Sequence, residues 1–384
     1  MLVRPSRPAG SPGGPHAFFM PFAQRTSPHL ERVRAEVRAW AERTGLFEDA
    51  YTSRWPRQWS RETYEKADFP LWVAMTHPDA GPDELTLTAA WHVALWFVDD
   101  LFLPLCRDAA DRDAVLHRID RLLRFLPVEG PPALIDPVPR NPVERAFADL
   151  WPRTAPTMSP AWRRRFASDV ERFLRGSLGE LDRLDRGGEG AGVDDPIEYV
   201  HARREFGGLP VTATLMEHGL GEIPGQVHRL QPFQSALRAF ADVISLHNDI
   251  VSYHREVGEG GVGNNGVEVL RRSLTRDHDL ADAFALMNRL LTCRVRTLET
   301  TVLPELDQAM ADEGIGEPLA SRTRSYVQAL MTATAGSYAW HEATGRFDRP
   351  PLPAFPQGPT GPGTSAARWR ASPEPSAARG GAVR

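Results

Sequence analysis

Apolar residues recur every three or four positions along most of the chain, which is the spacing of an amphipathic α-helix. The first predicted helix follows Ser27, which can serve as its N-cap with Pro28 at the first helical position, and it ends at Gly45. One face of this helix is expected to pack against the rest of the fold, because an apolar row runs along it through Leu30, Val33, Val37 and Trp40.

The same periodicity predicts helices along the rest of the chain, without a convincing run of alternating strand residues. The 279–308 segment is allowed an internal break. The predicted ranges are 83–98, 112–126, 143–153, 159–186, 195–205, 234–257, 267–273, 279–308 and 317–342. Together they predict an all-α fold, a single helical bundle in one domain of residues 17–348.

The two ends of the chain differ in composition from this domain. Residues 1–16 and 349–384 are rich in Pro, Gly, Ser and Arg, and they are predicted to be disordered because they carry too little apolar surface to fold. The N-terminal stretch lacks the apolar run of a secretory signal peptide. The two cysteines, Cys106 and Cys293, lie in apolar sequence and are interpreted as reduced core thiols. A cytoplasmic protein is therefore expected.

Composition and charge exclude two classes of partner. The 384 residues are 41% hydrophobic with 10 Trp, and the net charge of −5 comes from interspersed acidic and basic residues. A nucleic-acid-binding protein would present a basic face, so no nucleic acid is expected as a partner. The most apolar run, residues 85–98, is too short and too polar to cross a bilayer, so no membrane insertion is expected.

The stretch HNDIVSYHRE, residues 247–256, carries the first candidate chemistry. It places Asn248, Ser252 and Glu256 four residues apart, so in a helix their oxygen atoms share one face. An amide, a hydroxyl and a carboxylate are hard oxygen ligands of the kind that Mg²⁺ accepts. A solvated helix face is the alternative, but the largely apolar residues before the stretch favour a half-buried helix.

A second group of oxygens follows the apolar run WHVALWFV. Asp99 and Asp100 stand at the end of the predicted 83–98 helix, where two adjacent carboxylates in a poorly solvated place need a cation or raised pKa values. The negative end of the helix dipole adds to their repulsion. The alternative is a helix that simply ends in solvent at Asp99.

An aspartate pair after an aromatic and apolar helix, followed about 150 residues later by N-D-x-x-S-x-x-x-E, resembles the class I terpene synthases. The resemblance covers most of the chain from Phe18 to Phe347. Two segments, NPVERAFADLW and SYHREV, look most like the germacradienol-forming half of bacterial germacradienol/geosmin synthases. Those enzymes carry two such domains, whereas this chain has the length of one, so a second-domain activity is expected to be absent.

The resemblance implies a metal site between the two motifs. Family members bind three Mg²⁺ ions and a prenyl diphosphate there. By similarity, Asp99 bridges two of the ions, and Asn248, Ser252 and Glu256 hold the third. Relatives often carry a further acid where this chain has Pro104, so metal binding on that side rests on Asp99. Asp100 is then as well suited to pairing with an arginine as to contacting metal.

The resemblance also implies donors for the diphosphate, because the planar fork of arginine suits its oxygens. Arg203 lies at a distance before Asn248 that matches the family's sensor arginine, and it is chosen over Arg204. Arg255 matches a basic residue of the family that contacts diphosphate. Asn248 is expected to contact the diphosphate as well. At the C-terminal end the family has an Arg-Tyr pair, where this chain has Arg346 and a phenylalanine without the hydroxyl donor, Phe347.

The hydrocarbon part of such a substrate needs a dry aromatic pocket, because water quenches a carbocation and aromatic faces stabilise positive charge. Trp96, Phe206 and Trp340 are the candidates for its lining. Phe206 and Gly207 stand where relatives bend a helix and turn a backbone carbonyl toward the substrate, so both are placed with Asp99 and Arg203 among the catalytic residues. For each aromatic, plain core packing is the alternative.

The implied activity is that of a carbon–oxygen lyase. A Mg²⁺-dependent sesquiterpene synthase would ionise farnesyl diphosphate, cyclise the cation to a hydrocarbon or an alcohol and release diphosphate, as a monomer or a homodimer. The alternatives are a synthase that acts on geranyl or geranylgeranyl diphosphate, and a non-catalytic helical relative that binds a lipid or a partner. A chain-elongating prenyltransferase fits less well, because its second aspartate-rich motif is replaced by the stretch at 248–256.

Overall fold

The computed structural model of the protein describes residues 18–47, 60–108, 112–131, 137–185, 195–258, 265–274 and 279–347. Within these ranges the regular structure is helical and contains no strand, so the all-α prediction is confirmed. Both ends predicted to be disordered lie outside the described residues. No described helix is long and apolar enough to cross a membrane.

The helices are numbered in chain order. They are α1 (Leu30–Thr44), α2 (Arg61–Ala67), α3 (Phe69–Thr76), α4 (Pro82–Asp108), α5 (Arg112–Leu123), α6 (Pro142–Thr154), α7 (Pro160–Asp185), α8 (Pro196–Phe206), α9 (Leu209–Leu220), α10 (Gly225–His228), α11 (Gln231–Gly258), α12 (Gly266–Ser273), α13 (Leu280–Arg296), α14 (Val302–Asp312) and α15 (Glu317–Ala343).

Several helix ends follow from local chemistry. The side chains of Asn141, Asp195 and Asp279 each accept a backbone N–H at the start of α6, α8 and α13, which satisfies donors that a helix start leaves open. Ser27 is not the N-cap of α1, because the helix begins only after His29. The break allowed in the 279–308 segment is present as a π-helical turn, Thr297–Thr301, between α13 and α14.

One predicted helix end is wrong in a way that matters for function. The 83–98 helix does not end at the aspartate pair but continues to Asp108 as α4. Asp99 and Asp100 therefore lie within a long helix, and the repulsion expected from a helix C-terminus does not apply to them. Asp100 is buried, so its charge needs a partner inside the protein.

Helix α9 contacts both α4 and α11. Helix α15 packs along α3 and α11. The backbones of α3 and α15 approach closely at Gly336, where an added Cβ atom would lie 2.1 Å from the carbonyl oxygen of Met75. Only glycine allows this contact, which brings the C-terminal part of α15 against the side of the bundle that carries α4.

Cys293 is exposed on α13 and is therefore not the core thiol that its apolar neighbours in sequence suggested. Its neighbours Leu291, Thr292 and Val295 are buried. A rotation of about 100° per residue turns position 293 toward solvent. The side chain of Cys106 lies outside the described part of the structure.

Candidate active site

A cavity of about 200 Å³ lies between α4, the α8–α9 junction, α11 and the end of α15. Its charged and amide side chains are Asp99, Asp100, Arg203, Asn248, Asp249, Arg255, Glu256 and Arg346. Its apolar side chains are Trp72, Leu95, Trp96, Phe173, Phe206, Leu209, Ile244 and Trp340. Both aspartates and four residues of the 248–256 stretch, about 150 residues later in sequence, thus line one cavity with an apolar body. Ser252 is not among the residues that line it.

On the α4 side, the two aspartates have different surroundings. Asp100 is 6% exposed and pairs with the guanidinium of Arg346, with N–O distances of 2.6 and 3.0 Å. This bidentate ion pair offsets the cost of burying the carboxylate. Asp99 is more exposed and also lines the cavity. Of the two outcomes considered for Asp100, pairing with an arginine is the one found here.

On the α11 side, Asn248 is held at both ends of its amide. Its Oδ1 accepts a hydrogen bond from Arg203 at 3.2 Å, which fixes the amide orientation and leaves Nδ2 to donate to Nε2 of His341 at 3.3 Å. His341 in turn contacts His247, with 3.2 Å between their Nδ1 atoms. Because an amide oxygen has two lone pairs, Oδ1 can accept from Arg203 and still face a cation.

Ser252 stands one turn after Asn248 and one turn before Glu256 on α11. Its side chain is fully buried, and its Oγ has no hydrogen-bond partner among the described residues. A buried hydroxyl without a partner costs about 1–3 kcal/mol, so such groups usually serve a ligand or a bound water. This hydroxyl is the observation that most directly indicates a ligand-binding position at this turn of α11.

The donor set fits a hard divalent cation. An amide oxygen, a hydroxyl and a carboxylate on successive turns match the oxygen ligands of Mg²⁺, and Asp99 adds a carboxylate across the cavity. No group of three or more His, Cys, Asp and Glu side chains poised for a metal occurs among the described residues. The α11 donors do not need such a group, since two of the three are uncharged.

Arg203 lies at the end of α8 and links the two helices that meet at the cavity. Its Nε donates to Oδ1 of the buried Asp249 at 3.0 Å, while its other arm reaches Asn248. Asp249 also accepts from the hydroxyl of Tyr199 at 2.7 Å. Burial raises the pKa of Asp249, against the effect of the nearby guanidinium. Asp249 therefore orients Arg203 from behind, with the arginine on the cavity wall.

The α8–α9 junction is irregular at Gly207 and Gly208. Gly208 has φ of +69°, and a Cβ added to Gly207 would lie 2.7 Å from the carbonyl oxygen of Arg203 and 2.8 Å from Oγ of Ser245. Glycine at both positions therefore permits the helix break that the resemblance implies here. Phe206 is buried beside the break and lines the cavity, and the guanidinium of Arg203 lies over its ring at 5.1 Å.

The C-terminal end brings Arg346 to the cavity, where Arg255 of α11 also lies, and places Phe347 beside Arg255. Arg255 lies over the ring of Phe347, 5.1 Å from its centroid, and Phe347 is only 4% exposed. The ring that replaces the family's tyrosine thus packs against Arg255. Arg346 lies over the ring of Phe69 at 5.2 Å while it pairs with Asp100.

Aromatic rings form the wall of the cavity beside Asp99. Trp96 stacks on Phe69 at 4.3 Å and on Trp340 at 5.7 Å, measured between ring centroids. The indole N–H of Trp340 donates to the carbonyl oxygen of Ala67 at 3.1 Å, so the ring has one fixed orientation. Both tryptophans line the cavity and also pack in the core, so pocket lining and core packing are not exclusive roles for them.

His92 is a polar group inside this aromatic wall. Its Nδ1 lies 2.8 Å from the carbonyl oxygen of Thr88, so Nδ1 carries the proton, and its Nε2 accepts from the hydroxyl of Thr212 at 3.1 Å. Burial lowers its pKa to about 4, and burial likewise lowers the pKa of His77 to about 3. His92 is therefore neutral at the cavity near pH 7.

Acid should destabilise the fold through these two histidines. In the unfolded chain both histidines take up protons below their ordinary pKa of 6.5, whereas in the folded protein they stay neutral. The free energy of unfolding is therefore unaffected by these groups above pH 6.5, and it falls as the pH drops from 6.5 toward their pKa values in the folded protein. Each pH unit costs about 1.4 kcal/mol per histidine, or about 3 kcal/mol for His92 between pH 6.5 and 4. We expect His92→Gln to lose less melting temperature than the native protein between pH 7 and 4.5, measured by circular dichroism; equal losses would contradict this assignment.

Sequence reasoning missed several residues that the structure places at the site. Asp249 lies inside the 248–256 stretch, but the spacing predicts only Asn248, Ser252 and Glu256 as ligands. Its apolar surroundings on α11 were the available signal, since a buried carboxylate needs partners. Nothing in the sequence marks His341 or Asn265 as a site residue. His341 reaches Asn248 because α15 packs on α11, and Asn265 reaches Glu256 because α12 packs on α11.

Comparisons with known proteins agree with this geometry. A family model described as terpene synthase family 2, C-terminal metal binding, matches residues 90–297. The chain is 27% identical to pristinol synthase of Streptomyces pristinaespiralis, covering 97% of this chain and 96% of that protein. It is 30% identical to a 7-epi-alpha-eudesmol synthase of Streptomyces viridochromogenes, covering 86% and 91%. The crystal structure of a-eudesmol synthase superposes with a TM-score of 0.70 at 28% identity, covering 85% and 99%.

The matched region contains Asp99, Arg203 and the 248–256 stretch, so it spans both sides of the cavity. The family model covers more than half of the 384 residues, and the similarity to individual relatives extends over most of both chains. The family name also refers to metal binding, in agreement with the oxygen donors on α11. The chain belongs to the bacterial class I terpene synthase family.

Proposed function

We propose that this protein is a Mg²⁺-dependent sesquiterpene synthase, a carbon–oxygen lyase that converts farnesyl diphosphate to a cyclic hydrocarbon or alcohol and releases diphosphate. The observation that carries the proposal is the shared cavity: Asp99 of α4 and Asn248 and Glu256 of α11 line it together, and stacked tryptophans line its apolar part. The eudesmol synthase relative is named for cyclising farnesyl diphosphate, which supports the choice of this substrate.

The polar part of the cavity would hold the metal ions and the diphosphate. Asn248, Ser252 and Glu256 would ligate a metal ion from α11, and Asp99 would ligate from α4, with three Mg²⁺ ions in all. When bound, the ions neutralise the diphosphate and stabilise it as a leaving group. The protein's direct donors to the diphosphate are the amide of Asn248 and the guanidinium groups of Arg203, Arg255 and Arg346.

The apolar body would protect and fold the hydrocarbon chain. Trp96, Phe206 and Trp340 exclude water and present aromatic faces to positive charge, which stabilise a cation without reacting with it. Gly207 lies at the helix break, where the absence of a Cβ atom lets it pack against the carbonyl oxygen of Arg203 and Oγ of Ser245. A backbone carbonyl at this break would face the substrate. Phe206 and Gly207 thus act together with Arg203 at the reacting end.

Several finer points stay predictions. They are the number of Mg²⁺ ions, the particular resemblance to the germacradienol-forming domain, a cytoplasmic location, and a monomeric or homodimeric state. Product analysis tests the resemblance to the germacradienol-forming domain. A germacradienol product would support it, and a product with a different carbon skeleton would place the chain elsewhere in the family.

Incubation with geranyl, farnesyl and geranylgeranyl diphosphate, each with and without Mg²⁺, tests the proposal. We expect farnesyl diphosphate to give a C15 hydrocarbon or alcohol in the organic extract by mass spectrometry, and only when Mg²⁺ is present. Preference for another chain length would change the substrate while keeping the class. No product from any of the three would contradict catalysis and favour a helical protein that binds lipid or a partner.

A further inference from the structure

Asn265 lies at the start of α12 and reaches back to the end of α11. Its side chain is fully buried. One Nδ2 hydrogen bond goes to Oε2 of Glu256 at 2.9 Å and another to the carbonyl oxygen of Asp249 at 2.7 Å, while Oδ1 accepts from the backbone N–H of Val267 at 2.9 Å. The backbone donor fixes the amide orientation, so Nδ2 must face Glu256.

The next residue strengthens this link between the two helices. The backbone N–H of Gly266 donates to Oδ2 of Asp249 at 3.2 Å. A Cβ atom at Gly266 would lie 2.7 Å from that same oxygen and 2.7 Å from the ring of Tyr199. Only glycine lets α12 begin this close to α11, so the position of Asn265 is set by tight packing on both sides.

Glu256 needs such support more than the other α11 donors do. It stands in the last turn of α11, where the negative end of the helix dipole disfavours a carboxylate. Its side chain is also long and only partly buried, so a metal would otherwise have to order it at an entropic cost. A hydrogen bond to Oε2 leaves Oε1 for a ligand in a fixed direction.

We propose that Asn265 is a positioning residue that holds the carboxylate of Glu256 for the metal ion. Through Asp249, which contacts both Asn265 and Arg203, the same network ties the metal-binding end of α11 to the arginine at the diphosphate. Groups that orient metal ligands in this way typically change metal affinity by about 10–100-fold when they are replaced. The inference rests on the proposed function through the metal role of Glu256.

The test is binding of Mn²⁺ in the presence of inorganic diphosphate, followed by electron paramagnetic resonance, together with the Mg²⁺ concentration for half-maximal turnover. We expect Asn265→Ser to weaken both by about tenfold, because serine keeps the N-cap acceptor but is too short to reach Glu256. Asn265→Asp also keeps the cap, and it places a like charge beside Glu256, so it should weaken binding at least as much.

Asn141→Ala is the matched control, since Asn141 is an N-cap of the same residue type whose Oδ1 accepts from the N–H of Glu144 at 2.9 Å, and neither residue lines the cavity. It should lower the melting temperature and leave Mn²⁺ affinity unchanged. Mn²⁺ affinity of Asn265→Ser within twofold of the native value would overturn the positioning role alone. Absence of Mn²⁺ binding by the native protein with diphosphate would overturn the proposed function as well.

Discussion

Glu256→Gln should lower kcat/KM for farnesyl diphosphate by about 1000-fold, which corresponds to about 4 kcal/mol of transition-state stabilisation. The neutral amide has nearly the same shape as the carboxylate but is a much weaker ligand for Mg²⁺. Since Asn248 and Ser252 are uncharged, Glu256 supplies the only negative charge of the three α11 donors. Without it, the proposed metal site on this side of the cavity would lose its ion or hold it in a displaced position.

Steady-state kinetics at saturating Mg²⁺ measures this effect, and a melting curve checks the fold. Glu305→Gln is the control: Glu305 is exposed on α14, away from the cavity, and its loss should leave kcat/KM unchanged. We expect both variants to melt close to the native protein in the absence of ligands. Turnover by Glu256→Gln within twofold of native would remove the α11 metal site from the mechanism.

Arg203→Lys should lower kcat/KM by about 100-fold, the second largest effect expected. Arginine uses its fork to donate to Asp249 and Asn248 at once while it faces the cavity, and a lysine ammonium cannot reproduce that planar geometry. A charge-assisted hydrogen bond is worth about 1.5–3 kcal/mol, so losing one to the diphosphate accounts for this magnitude.

The neighbouring residue offers a matched control. Arg204 also pairs with a buried aspartate, Asp242, through bonds of 2.6 and 2.8 Å, but it points away from the cavity and Asp242 keeps a second partner in Arg294. Arg204→Lys should lower the melting temperature about as much as Arg203→Lys does, but without a comparable loss of kcat/KM. Equal kinetic losses in the two variants would mean that Arg203 acts through stability alone.

Parts of this site follow from the sequence because they are local. A spacing of four residues keeps Asn248, Ser252 and Glu256 on one face of any α-helix, whatever the tertiary structure. The positive φ of Gly208 at the break between α8 and α9 is likewise local, since glycine adopts this conformation without strain. These features needed no knowledge of what packs against them.

Other parts are set by packing between distant segments. Asp99 and Asp100 resembled a helix end because adjacent acids seldom lie inside an apolar helix, yet α4 continues, and the buried charge is offset by Arg346 from the far end of the chain. Helices α3 and α9 were missed because they are buried on nearly all sides, so they lack the alternation of apolar and polar residues that reveals a helix.

The central claim is that α4 and α11 hold a metal–diphosphate complex across this cavity. A crystal structure with Mn²⁺ and inorganic diphosphate, using anomalous scattering to locate the metal, tests it most directly. We expect anomalous peaks in ligand contact with Oδ1 of Asn248, Oγ of Ser252 and the carboxylate of Glu256, and a further peak at Asp99. Ordered diphosphate in the cavity with no anomalous peak beside Ser252 would contradict the claim.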